Sequence, residues 1–134
     1  MTQHATGSFE VKVLPLEPAF KFEENPISRM SIDKQFHGDL EATSKGEMLA
    51  AGSPAKGSGG YVAIERVSGS LRGRAGTFVL QHIGTMTNGS YQLTVTVVPD
   101  SGSGQLQGLS GSMNIIIKGG KHSYDFAYSL PDSH

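Results

Sequence analysis

The chain has 134 residues, no cysteine, and eleven basic against twelve acidic side chains, for a net charge of −1. That length makes a single domain, residues 1–134, able to bury roughly two-thirds of its unfolded surface. The charge balance provides no basic stripe for nucleic acid. The missing cysteine rules out disulfides, thiolate nucleophiles and zinc–sulfur sites, and no apolar run reaches membrane-spanning length.

The N-terminus MTQHATGSFEVKV has no apolar signal core, so a cytoplasmic protein is expected. Eighteen glycines, abundant serine and threonine, and short alternating runs without a period near 3.6 predict an all-β chain. Gly7 to Leu14 alternates as a first strand, with Phe9, Val11 and Val13 on one face. Three prolines make residues 15–26 a connection and not sheet interior. Ser28 to His37 is a second strand, with Met30, Ile32 and Phe36 on one side. Gly38-Asp39 turns it into a third, Leu40 to Ala51. There the adjacent Met48 and Leu49 break the alternation, so the facing of Glu41 and Glu47 stays open and a bulge is one explanation. Gly52 to Gly60 (GSPAKGSGG) is a flexible loop by composition.

Turn chemistry phases the next three strands. Asn88-Gly89 is a strong hairpin signal, because both central residues of a type I′ turn need φ > 0. Pairing outward from it sets His82 against Val95 and Leu80 against Val97. A second turn at Arg72-Gly73 sets Glu65 against Leu80 and Ala63 against His82. One face then carries Tyr61, Ala63, Glu65, Val67, Phe78, Leu80, His82, Tyr91, Leu93 and Val95. The opposite face is polar except for Val62, Ile64, Val79, Ile83 and Val98. After Pro99 the chain leaves the sheet, with room for one short helical turn. Met113–Lys118 and Lys121–Leu130 form a last hairpin around Gly119-Gly120, with Ile115, Ile117, His122, Tyr124, Phe126 and Tyr128 on its apolar face.

Eight strands joined mostly by hairpins fit an antiparallel up-and-down β-barrel, closed and wide enough for one small ligand. A two-sheet sandwich would show the same alternation.

The runs YVAIERVSGSLRGRAGTFVLQHIG, VPDSGSGQLQGLSGS and KHSYDFAYSLP resemble a bacterial family of small uncharacterised proteins, a domain of unknown function. The match runs from about Gly38 to Pro131 and is densest over Gly73–Gly84; Tyr61, Glu65, His82, His122, Tyr124 and Tyr128 stand at positions of its motif. Asp100 departs from it, where the family usually has glycine. The resemblance implies an allene oxide cyclase-like eight-stranded barrel and oligomers. It implies no cyclase activity, because fold does not carry function.

Glu65 and His82 are diagonal neighbours on the inner face, roughly 7–8 Å apart at Cα, near enough for carboxylate and imidazole to meet. Such a pair is a candidate acid/base couple; a structural ion pair is the other reading of it. A Glu65 that faces ligand should tolerate Glu65→Gln with little loss of stability. With Tyr61, Phe78, Tyr91, His122, Tyr124 and Tyr128, the pair forms the candidate ligand-binding set, tyrosine offering a large apolar body with one hydroxyl. No His-x-His or His-x-x-x-His spacing supports a metal, and SGSGQLQG lacks the residues of a P-loop, so neither metal nor cofactor is expected. Asn88-Gly89-Ser90 reads as a turn, not a glycosylation site.

Three functions stay open. The first is a barrel that binds a small apolar molecule with a polar handle. The second is an isomerase- or cyclase-type enzyme using the same groups for proton transfer. The third is a filled barrel acting through an oligomer surface. The apolar outer residues Ile64, Val79 and Ile83 predict a homo-oligomer, a dimer or trimer.

Overall fold

The two-residue turns behave as their chemistry requires. In a computed structural model describing residues 2–53 and 57–131, Asn88 and Gly89 have φ of +50° and +85°, and Arg72 and Gly73 have +47° and +83°. Both hairpins are therefore type I′, whose twist matches that of the strands they join. The register follows: His82 pairs Ala63 on one side and Val95 on the other, and Leu80 lies between Glu65 and Val97.

Eight antiparallel strands close into a barrel in chain order, which excludes the sandwich. They are β1 (Gln3–Leu16), β2 (Ile27–Gly38), β3 (Leu40–Ser53), β4 (Ser58–Leu71), β5 (Arg74–Thr87), β6 (Ser90–Val97), β7 (Ser110–Lys118) and β8 (Lys121–Ser129). The ring closes where β1 meets β8, with Gln3 beside Tyr128 and Phe9 beside His122.

The third strand needs no bulge. Its pairing with β2 and β4 is unbroken from Ala42 to Ala51, so Ala42, Ser44, Gly46 and Met48 face inward while Glu41 and Glu47 face out. Leu49 looked like a break because it is an apolar residue on the outer face, 46% exposed. Strands β3 and β4 also extend further into the expected loop, pairing as far as Ser53 and Ser58. Residues 54–56, the middle of that loop, lie outside the described residues.

Strand β6 is short, so the first half of β5 lacks a β6 partner and the β6–β7 connection takes its place. The Ser103 N–H donates to the Thr77 carbonyl (2.8 Å), the Ser101 hydroxyl accepts from the Val79 N–H (3.0 Å), and the Gln105 side chain accepts from the Ala75 N–H (2.8 Å). One 3-10 turn, Gly104–Leu106, drops Leu106 fully into the interior. Asp100 begins this excursion at φ +62°, the left-handed conformation that glycine would adopt with less strain. Between β6 and β7 themselves the ladder is a single pair, Thr96 with Ser112.

The interior is divided along the barrel axis. At the end holding the β2–β3 and β4–β5 turns it is solid: Leu40, Leu71, Phe78, Leu106, Tyr124 and Phe126 are at most 1% exposed. Phe78 stacks on Phe126 at 5.8 Å, and the Tyr124 hydroxyl donates to the His37 carbonyl and accepts from the Leu40 N–H, both at 2.9 Å. The other end is open. The outer face carries Lys12, Asp33, Lys45, Arg66 and Gln81, all exposed. No helix among the described residues is long and apolar enough to cross a membrane.

Candidate functional site

Where the solid half ends, four consecutive strands each contribute one polar side chain to the inner wall. Lys34 on β2 pairs directly with Ser44 on β3; Glu65 on β4 lies beside Gly46, and His82 on β5 is its diagonal neighbour. Glu65 is fully buried, and Ser44, His82 and Lys34 are 1%, 3% and 6% exposed. One carboxylate oxygen, Oε1, accepts from Lys34 Nζ at 2.9 Å and from His82 Nε2 at 2.6 Å. The other, Oε2, accepts from the Ser44 hydroxyl at 2.5 Å. Gly46 is what allows this approach, since a Cβ there would run into the Ile64 carbonyl and the Glu65 backbone. The Lys34 ammonium also lies 5.1 Å from the centre of the Phe9 ring and 5.7 Å from that of Phe36, positions where the ring quadrupole attracts a cation.

Burial alone would push the Glu65 carboxyl upward. His82, Lys34 and Ser44 outweigh it and hold the pKa down at about 2, because hydrogen bonds and positive charge favour the ionised form. Glu65 is thus a fixed anion at neutral pH. Since Nε2 of His82 faces that anion, the proton of a neutral imidazole sits on Nε2 and Nδ1 carries the lone pair.

Above this cluster lies a cavity of about 180 Å³. Phe9, Val11, Ile32, Leu93 and Ile115 form apolar walls; Lys34, His82, His122, Tyr61 and Tyr91 are its polar lining. His122 packs on its cross-strand neighbour Phe9, ring centres 5.3 Å apart. Tyr61 leans on His82 at 6.4 Å, and its ring fills the space over Gly84, where any Cβ would strike it. Burial, then the bond and charge of Tyr91 and the charge of Glu65, raise the Tyr61 hydroxyl above the usual tyrosine range, so it stays a protonated donor. A vestibule of about 480 Å³ lined by Met48, Tyr61, Gly84, Met86 and Tyr91 lies next to the cavity and shares Met48, Tyr61 and Tyr91 with it.

The residues expected from the sequence divide by depth. Tyr61, His82, Tyr91 and His122 line the cavity. Glu65 does not; it lies behind the floor, covered by Lys34 and His82. Phe78, Tyr124 and Tyr128 belong to the solid half, their hydroxyls engaged where they have one: that of Tyr128 donates to the Gln3 side chain at 3.1 Å. Sequence reasoning missed Lys34 and Ser44. The signal for Lys34 was present, since it stands at the parity of Ile32 and Phe36. Ser44 was hidden by the unphased third strand. Among the described residues no group of three or more His, Asp and Glu is arranged to hold a metal ion.

A barrel closed at one end, with an ion cluster as the floor of a cavity at the other, defines the class of protein. Residues 5–128 match the model of a protein family of unknown function, DUF3224, and the chain belongs to that family. The match takes in β1 and β2, which the sequence resemblance beginning near Gly38 left largely outside. The crystal structure of a DUF3224 protein of unknown function from Shewanella oneidensis MR-1 superimposes with a TM-score of 0.93. It is 47% identical, with 99% of this chain and 100% of that one covered. No curated protein matches.

Proposed function

We propose that the protein binds a small, largely apolar molecule in the open half of the barrel and holds it by a polar handle. The observation that carries this is the cavity itself, apolar around its walls and ending at Lys34 and His82. An apolar cavity of about 150 Å³ takes up benzene, so the cup suits one ring or a short branched chain, and the vestibule takes the rest of the molecule. A bond from the handle to a charged donor contributes about 1.5–3 kcal/mol, roughly ten- to a hundredfold in affinity. Ligand-observed NMR with benzene, phenol and benzyl alcohol tests this. The expected result is saturable binding in which the oxygen-bearing probes are tighter by at least tenfold, with that preference lost in Lys34→Met. No saturable binding of any probe at millimolar concentration would refute it.

We also propose that copies of this chain cover the outer face of β3–β5. Leu49, Val62 and Ile83 lie side by side across three strands, next to Ile64, and all are about half exposed. Val79, expected in the same patch, is partly covered by the β6–β7 connection. The accessible surface is 8381 Å², against roughly 6,800 Å² for a globular monomer of this mass. The excess is about twice what one partner of a standard interface hides, as in a dimer with a wide contact or a trimer with two.

A further inference from the structure

We propose that the open cavity catalyses proton transfer at a carbon next to a carbonyl, with His82 as the base and Lys34 as the partner of the enolate oxygen. This rests on the binding reading above and adds a reaction to it.

Three features of the cluster carry the inference. First, His82 presents a base to the cavity. Its Nε2 is committed to Glu65, and among the described residues Nδ1 has no hydrogen-bond partner although every fully buried side-chain nitrogen and oxygen there has one, so Nδ1 is not sealed in the core. The ring lines the cavity, so Nδ1 is open to it. A neutral imidazole oriented by a buried carboxylate through its far nitrogen is the arrangement that lets histidine accept a proton.

Second, a cation stands beside the base. Lys34 Nζ and His82 Nε2 bind the same oxygen, Glu65 Oε1, so they can be no further apart than those two short bonds laid end to end. The ammonium has three N–H bonds and gives one to Glu65. With its oxygen at Lys34, a carbonyl compound transfers its proton when the α-carbon lies in the plane of the ring, in line with the Nδ1 lone pair.

Third, the charges balance. The C–H bond breaks and its proton goes to His82 Nδ1. The bonding pair becomes the C=C bond, and the carbonyl π pair moves to oxygen. The imidazolium formed lies against Glu65 and the enolate against Lys34, so two ion pairs replace one and the site gains no net charge. Preplaced opposite charges of this kind are the main means of stabilising an enolate in a dry site. Return of the proton to carbon completes the cycle with no redox partner. Ser44, on the other carboxylate oxygen, keeps Glu65 aimed and acts as a positioning residue.

The substrate class is a ring-sized ketone or aldehyde with an α C–H. The test follows loss of the α-proton signals of cyclohexanone in D₂O by NMR, with binding of the same ketone measured in the same samples. Exchange above buffer should saturate with ketone, fall at least a hundredfold in His82→Gln, whose amide nitrogen stands where Nε2 does and still gives Glu65 a donor, and fall at least tenfold in Lys34→Met. Circular dichroism establishes that each variant is folded. Should either fail to fold, Leu93→Trp fills the cup from the wall without touching the cluster and should also abolish exchange. Bound ketone that exchanges no faster than in buffer overturns this inference alone and leaves the binding reading standing. So does exchange that survives in folded His82→Gln or Leu93→Trp. Absence of any binding overturns both.

Discussion

Replacing Glu65 by glutamine separates a floor that holds the fold together from one that merely touches a ligand. The amide keeps the shape but removes the negative charge, leaving Lys34 buried without a counter-ion. The carboxyl pKa of about 2, against an ordinary 4.5, corresponds to about 3 kcal/mol of preference for the ionised form in the folded state. Removing one partner of a buried ion pair costs about 3–5 kcal/mol by a separate route to the same interaction, so the two figures agree and are not added. For a chain of this length the melting temperature should drop by about 10–15 °C.

The pH dependence has a definite sign. A carboxyl depressed in the fold contributes its stability fully above the unfolded value of 4.5 and loses it as pH falls toward 2. Wild type should weaken through that window, and Glu65→Gln should lack this component. Urea unfolding at several pH values between 2 and 7 reads both effects. A Glu65→Gln melt within about 2 °C of wild type, less than 1 kcal/mol, with an unchanged acid profile would refute the argument. That outcome would favour the sequence-based expectation of a Glu65 exposed to ligand.

Three further outcomes are expected. Gly89→Val forces a β-branched residue to a φ of +85° in open space where a Cβ meets nothing, so urea titration should show a purely backbone cost of about 1–2 kcal/mol. Asp100→Gly should raise the melting temperature slightly, because glycine occupies φ +62° without the strain an L-residue carries. Ile64→Lys should lower the mass seen by light scattering at tens of micromolar while the far-ultraviolet spectrum is kept; wild type already monomeric there would count against the outer face as an interface.

The faces of β4 to β6 were legible because two turns, Asn88-Gly89 and Arg72-Gly73, admit only one pairing each. Depth along the barrel was not. Phe78 and His82 share a face and a strand, yet four residues of extended chain, about 13 Å, put one in the solid half and the other at the cavity. Tyr124 and Tyr128, two and six residues along β8 from the cavity-lining His122, left the ligand-lining set for the same reason, since alternation reports which side a residue faces and not how far down the axis it lies. Lys34 was passed over because a charged residue between Ile32 and Phe36 finds its counter-ion two strands away, and that partner is invisible until the strands are laid side by side.

The one-pair ladder between β6 and β7 bears on how evenly the barrel wall is held together. Strands β2 to β5 hold the Lys34–Ser44–Glu65–His82 floor on long, unbroken ladders, so that half of the barrel is stiff. On the opposite wall Tyr91 and Leu93 of β6 and Ile115 and Ile117 of β7 line the cavity, beyond the last rung at Thr96 and Ser112. Past that rung β6 and β7 have no further ladder pair. The seam between β6 and β7, and not the wall that carries the polar cluster, is therefore the part of the barrel with the least backbone pairing to hold it.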